Sequence, residues 1–381
     1  LVSSSAASDV YKRQVELGNL AITEFYRPEI TVESSGNMLP APVPIGQGGR
    51  VPPSEVIDDD QLALFDPASD GIDFYESLEG MLVTLEDAVA VSPTNRFGEI
   101  FALANQGVGA SGRNERGGIT IGPDDFNPER VQIDFDSGIL DFAVDVNAGD
   151  LLGDVTGVIG YSFGNFEILP TQEFLVEDAG LTGEVTHLKR EKRRQVTIAS
   201  YNVLNLDPND EDGDTDLADG RFERIAEQIV HNLHSPTILA LQEIQDNSGS
   251  TDDGTVAADL TLQLLVDAIR VAGGPRYRYI DNPPLNNQDG GQPGANIRVA
   301  YLYDPRRAEP EAVVRITDEE LSDGDAFLDS RKPLYVRFEV ADRDLHLVNN
   351  HFSSKGGSTP LFGQVQPPVN GSADERTAQA R

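Results

Sequence analysis

The stretch Gln195-Val196-Thr197-Ile198-Ala199-Ser200-Tyr201-Asn202-Val203-Leu204-Asn205 decides how the second half of the chain is read. Val196, Ile198 and Ser200 alternate with Thr197, Ala199 and Tyr201 at the two-residue period of a sheet. The run ends in an amide, Asn202, where an apolar strand gives way to an acidic loop. A strand end holds its side chains rigidly, which suits chemistry. Two later stretches repeat the device. Ile238-Leu239-Ala240-Leu241-Gln242-Glu243 delivers a carboxylate, and Leu345-His346-Leu347-Val348-Asn349-Asn350-His351 an imidazole. An amide, a carboxylate and a histidine on successive strand ends can build a site for a hard metal ion and a phosphate. Each also has an ordinary reading: a turn amide, a solvated loop acid, a structural histidine.

The residues between these strands complete a layered pattern. Asp207-Pro208-Asn209-Asp210-Glu211-Asp212-Gly213-Asp214-Thr215-Asp216 is either a calcium loop or a solvated acidic turn. Alignment on Gly213 puts Pro208 where the first calcium ligand should stand, which favours the turn. Phe222, Ile225, Ala226, Ile229 and Leu233 recur at helical spacing, as do Leu260, Leu264, Leu265, Ala268 and Ile269. Gly273-Gly274-Pro275 ends the second helix. Strands follow at 298–303, 334–340 and 345–350. Strand, helix, strand, helix and further strands make an α/β pattern. His346 has the opposite strand parity to His351 and is expected to face away.

The first half reads differently. Val15-Glu16-Leu17 and 21–26 are short strand-like pieces, and 37–54 is rich in Pro and Gly, as a linker or extended loop is. Strands are expected at 80–85, 88–91, 98–103, 131–135, 155–161 and 166–170, which suggests a small barrel or sandwich. Phe74, Tyr75, Tyr161, Phe163 and Phe166 can stack on bases or fill a core. Lys189-Arg190-Glu191-Lys192-Arg193-Arg194 is the basic cluster; a solvated linker is its plainer reading.

Composition limits the choices. The chain has 381 residues, enough for two domains, and a formal net charge of −35. That charge opposes generic attraction to DNA or anionic membranes, so an anionic ligand would need metal ions and local cations. No apolar run reaches membrane-spanning length. There is no cysteine, hence no disulfide frame and no thiolate chemistry.

Five phrases, taken in order, resemble the endonuclease/exonuclease/phosphatase superfamily with its DNase-I-like fold, and within it secreted bacterial extracellular nucleases. They are Ala199–Asn205, Leu241-Gln242-Glu243-Ile244-Gln245-Asp246, Asn296-Ile297-Arg298-Val299-Ala300-Tyr301-Leu302-Tyr303, Ser330-Arg331-Lys332-Pro333-Leu334, and Asn349-Asn350-His351-Phe352-Ser353-Ser354-Lys355-Gly356-Gly357. The resemblance implies an α+β or α/β chain: a β-rich, OB-like N-terminal domain, then the first half of a DNase-I-like four-layer sandwich. The divisions expected are 1–13, which resembles adapter-derived sequence; 14–70, a partial β segment and linker; 71–175, the OB-like domain; 176–195, a linker; and 196–381, the truncated superfamily domain. It further implies phosphodiester hydrolysis of nucleic acid, DNA more than RNA, outside the cell, with Mg2+, or Mn2+ or Ca2+ in its place. Glu243 and Asn202 would hold the metal, and His351 would meet the scissile phosphate. Arg331 would contact the nucleic-acid backbone, with Arg298 and Lys355 as further phosphate holders or ordinary surface cations.

The family's later Gly-Asp-x-Asn and closing Ser-Asp-His stretches do not occur in the sequence, and no Asp-His pair does. The 381-residue chain is therefore expected to be inactive and poorly soluble, with its general base beyond Arg381. Rival readings are a phosphodiesterase or phosphatase on another ester, and a non-catalytic nucleic-acid-binding protein.

Overall fold

A computed structural model describes residues 2–4, 18–20, 30–135, 138, 140, 142–188, 195–316, 321 and 324–381. The strand-like pieces expected at 15–17 and 21–26, the basic cluster 189–194, and most of 1–13 lie outside the described residues. The chain divides into two compact units: Leu1–Thr182 with Gly356–Gly371, and Gly183–Lys355 with Ser372–Arg381. Gly356–Gly371, which the sequence reading places in 196–381, thus groups with the first unit. The whole is mixed α+β.

In the first unit β1 (Val2–Ser4) pairs antiparallel with β2 (Ile30–Val32). The main sheet contains β3 (Val43–Ile45), β4 (Leu82–Ala90), β5 (Ile100–Leu103), β6 (Val131–Ile133), β7 (Leu151–Ser162) and β8 (Asn165–Pro170). β4 pairs antiparallel with both β5 and β7, β5 with β6, and β7 with β8, while β6 and β8 run parallel. These pairings close a small five-stranded barrel, and β3 lies parallel beside β4. One face of each strand fills its interior: Val83, Leu85, Ile100, Ile133, Val155, Ile159 and Ile168 are buried together. Gly157 permits the tight β7–β8 approach, since a Cβ there would collide with the Leu169 carbonyl and the Ile168 side chain.

Helix α1 (Gly71–Glu76) stands where the sequence reading begins a β-rich segment. Phe74 and Leu78 lie at helical spacing and are buried with Tyr75, which stacks on Phe166 at 5.2 Å between ring centroids. Phe74, Tyr75 and Phe166 are therefore core residues and offer no stacking platform. Phe163, in the β7–β8 turn, is 67% exposed.

The second unit contains β9 (Ile198–Leu206), α2 (Arg221–Glu227) running into a π-helical turn (Gln228–Asn232), β10 (Ile238–Ile244), α3 (Asp259–Val271), β11 (Arg278–Asp281), β12 (Arg298–Tyr303), β13 (Glu309–Arg315), β14 (Leu334–Val340), β15 (Arg343–Asn349) and α4 (Ala373–Ala380). One sheet has the order β11-β12-β10-β9, the other β13-β14-β15. β9 and β10 run parallel; the remaining pairs are antiparallel. Alternation splits the first sheet between two cores. Leu239, Leu241, Ala300 and Leu302 meet Phe222, Ile229, Leu262, Leu265 and Ile269 of the helices. Ile238, Val299, Tyr301 and Tyr303 meet Leu334, Val336 and Phe338 of the second sheet. The layers are therefore helix, sheet, sheet. Among the described residues no helix is long and apolar enough to cross a membrane.

Candidate active site

The parallel pairing sets Asn202 on β9 directly beside Gln242 on β10. The next residue, Glu243, breaks the ladder. Against β12, Leu241 pairs with Ala300 and Ile244 with Arg298, so three steps on β10 oppose two on its partner. This is a β-bulge, and it re-aims the extra side chain. Leu239, Leu241 and Ile244 all reach the helix-side core, while Glu243 escapes it. Glu243 takes φ +62°, a left-handed conformation that costs a residue with a Cβ about 1–2 kcal/mol. β9 is irregular at the same level, with Leu204 at φ +56° and Asn205 at +57°.

Three strands converge on one oxygen. β9 does not end at Asn202 as expected: it runs on to Leu206, while Glu243 is the penultimate residue of β10 and His351 lies two residues past β15. Glu243 Oε1 accepts from Asn202 Nδ2 at 2.7 Å and lies 3.3 Å from His351 Nε2. Asn202 Oδ1 in turn accepts from the Leu204 amide at 2.8 Å. The His351 contact is the main cause holding the Glu243 carboxyl below its ordinary range, with Asn202 and Arg331 adding to it against the opposing effect of burial. Glu243 is thus an anion at neutral pH. Its Oε2 receives no hydrogen bond among the described residues. His351 Nδ1 and Arg331 Nε are both buried polar atoms without a partner among the described residues.

The surrounding polar residues lock this arrangement. Gln242 Nε2 donates to Asn349 Oδ1 at 2.7 Å, and Ser200 Oγ lies 3.2 Å from Gln242 Oε1. Asn349 Nδ2 donates to the carbonyls of Leu241 and Ala300 at 2.9 and 3.0 Å, tying β15 to both neighbouring strands of the other sheet. Arg331 donates to the Phe352 carbonyl at 3.0 Å. On α4, buried Gln379 accepts from the Ser353 amide at 2.8 Å and donates to Ser330 Oγ at 3.3 Å, joining the segments that carry His351 and Arg331. Sequence reasoning assigned no role to Gln242, Asn349 or Gln379. A signal existed for the first two: each is polar at a strand parity that points between the sheets.

The six residues singled out from the sequence fare differently. Asn202, Glu243 and His351 come together, and Arg331 is close enough to influence Glu243. Arg298 does not join them as a phosphate holder. Its side chain is 1% exposed and spent inside the fold, on Asp281 at 3.2 Å and on the carbonyls of Asn296 and Val256 at 3.1 and 2.5 Å. It stands at the start of β12, a strand buried along its whole length. Lys355 is exposed on the segment after His351. Asn202 orients the carboxylate through its NH2 group, and its oxygen is turned to a backbone amide. His346 is exposed, its Nδ1 2.7 Å from the Tyr335 hydroxyl.

The donor set fits a hard divalent ion. An ionised carboxylate with one oxygen free of hydrogen bonds is a suitable single ligand for Mg2+ or Mn2+, which keep most of their waters. Glu243 would hold it, and Asn202 would fix the carboxylate's direction.

Residues 44–179 match a family described only as a domain of unknown function (DUF8508). No curated protein matches the chain. Among solved structures it is similar to D. rerio TDP2 complexed with a single-strand DNA product, at 16% identity and TM-score 0.26, covering 42% of this chain and 48% of that one. It is likewise similar to endonuclease/exonuclease/phosphatase family proteins from two bacteria. The Leptotrichia buccalis protein has 14% identity and TM-score 0.29, covering 43% and 58% of the two chains. That from Bacteroides vulgatus has 17% identity and TM-score 0.27, covering 42% and 52%. The chain spans about half the length of these structures. The likenesses are loose, and the functional reading rests on the site's own geometry.

Proposed function

We propose that the second unit carries the divalent-metal and phosphate site of a phosphodiesterase acting on nucleic acid. The observation that carries this reading is the convergence of Asn202 and His351 on Glu243 Oε1, on a carboxylate displaced from its strand by a bulge. A Mg2+ or Mn2+ ion there would act as a Lewis acid on a phosphoryl oxygen. Glu243 holds the ion, and Asn202 fixes the angle of the carboxylate. His351 and Arg331 supply the positive and hydrogen-bonding groups that an anionic phosphodiester needs as charge builds on it. In a chain of net charge −35, such local cations decide where an anion settles.

We also read the first unit as an OB-like barrel. Its support is the strand order β4-β5-β6-β8-β7 closed by β4–β7, with β6 and β8 as the parallel pair. An extracellular setting goes with the family resemblance and with the strong acidity.

The test is anisotropy of a labelled single-stranded DNA oligonucleotide titrated with the whole chain, with Mg2+ and with EDTA, alongside a cleavage assay. Binding should strengthen with Mg2+, Glu243→Gln should remove that gain, and Arg331→Ala should weaken binding in both conditions. Binding indifferent both to EDTA and to Glu243→Gln would sink the metal-site reading and favour a non-catalytic nucleic-acid binder.

A further inference from the structure

The acidic run after β9 holds three carboxylates, Asp207, Asp212 and Asp214, each with an oxygen within 4.8 Å of the others. Surface acids often cluster, and a cluster alone means little. Here Asp214 is exposed, but one oxygen each of Asp207 and Asp212 is out of the solvent. Asp207 is completely buried. Its Oδ1 accepts from the Asn209 amide at 2.8 Å, but its Oδ2 is buried and without a donor. Asp212 repeats the pattern: Oδ2 accepts from the Ser250 amide at 2.5 Å, and Oδ1 is buried and without a donor. Two orphaned carboxylate oxygens in one acidic cluster are doubly unfavourable, through lost hydration and the mutual repulsion of the carboxylates. The nearby Arg221 is already engaged, with Asp216 Oδ1 at 2.5 Å and with the Val203 carbonyl at 2.5 Å.

We propose that Asp207, Asp212 and Asp214 form a second cation site, built for Ca2+, separate from Glu243 and structural in role. A hard cation is what buried, unpartnered carboxylate oxygens lack, and Ca2+ accepts many oxygen ligands in an irregular loop. The register is not that of an EF-hand: the ligands stand at the first, sixth and eighth places counted from Asp207, so Pro208 presents no obstacle. The position explains the purpose. Asp207 directly follows β9, which carries Asn202. Asp212 is bonded to Ser250, in the loop after β10, which carries Glu243. Asn209 Nδ2 adds a bond to the Ser248 carbonyl at 2.8 Å. Gly249 sits against both carboxylates, where a Cβ would overlap Asp212 Oδ2 and Asp207 Oδ1. The ion clamps together the two loops behind the active-site strands.

The test is Ca2+ stoichiometry of the whole chain by equilibrium dialysis, with thermal melts in EDTA and in Ca2+. The wild-type chain should melt higher in Ca2+. Asp207→Asn and Asp212→Asn, relieved of repulsion, should melt higher than wild type in EDTA, gain little from Ca2+, and bind one ion fewer. Exposed Asp214→Asn, which leaves the buried pair in place, should keep the fold and weaken Ca2+ binding at least tenfold. Glu243→Gln should retain the whole Ca2+ gain. Unchanged stoichiometry in Asp212→Asn, or unchanged affinity in Asp214→Asn, would overturn the proposal. So would a Ca2+ gain that disappears in Glu243→Gln.

Discussion

Gln242 and Asn349 meet through a 2.7 Å hydrogen bond that joins the residue before the Glu243 carboxylate to the strand end that leads into His351. The bond is buried, and Asn349 spends its NH2 group on two further carbonyls of the opposite sheet. The geometry of the site is therefore set one residue beneath its surface. Asn349→Ala would take the side-chain donor from the Leu241 and Ala300 carbonyls and leave the Gln242 amide with only its 3.2 Å bond to the Ala240 carbonyl. The expected loss is about 3 kcal/mol by urea unfolding. A loss below about 0.5 kcal/mol, the scale of an ordinary surface substitution, would mean that the tether is dispensable.

Arg298 is predicted to matter for folding alone. Arg298→Ala leaves the partly buried Asp281 beside carbonyls that have lost their donor, and should cost about 3 kcal/mol. A chain that stays stable but loses affinity for phosphate or DNA would restore Arg298 to the site.

Gln379 is predicted to hold the His351 and Arg331 segments in place. In Gln379→Ala the Ser353 amide loses its acceptor, so its hydrogen exchange should accelerate while exchange across β10 and β12 stays as it was. Unchanged protection at Ser353 would show that α4 does not order this segment.

A pH dependence follows from Glu129 in the first unit. Burial pushes its carboxyl up from 4.5 to about 7. Its Oε1 accepts from the Ser111 amide at 2.9 Å, and its Oε2 has no partner among the described residues. The folded chain thus binds this proton more tightly than the unfolded chain does. The stability it contributes is complete below the unfolded value of 4.5 and is lost as pH rises to about 7. Glu129→Gln should therefore raise the melting temperature at pH 8 by a few degrees and change it little at pH 4.5. Equal effects at the two pH values would exclude the mechanism.

What the sequence makes legible follows from where pattern and burial agree. The strands at 298–303 and 334–340 match β12 and β14 to the residue, because both are central strands, β12 buried throughout and β14 alternating between the core and a more open face. β11 and β13 are edge strands with polar residues, and Pro310 in β13 interrupts the ladder, so the pattern has little to report. The single strand β4 looks like two because its register shifts between Leu85 and Ala88. At the site, polar residues that close apolar runs mark Asn202, Glu243 and His351, although β9 continues past Asn202 to Leu206. What they do not convey is burial: Arg298 reads as a phosphate holder or a surface cation, yet both faces of its strand are covered. Partnership is equally silent, since Gln379 acts across tertiary contacts with no local signature.

The Glu243 bulge has a consequence for how such a site comes and goes. Remove that one residue and Ile244 moves up to the parity of Leu239 and Leu241, and the ladder with β12 becomes regular. In genetic terms the carboxylate is a one-codon insertion in a strand whose framework does not require it. Loss of that codon would remove the carboxylate together with its left-handed backbone, so selection for stability and selection for the proposed site pull the same codon in opposite directions.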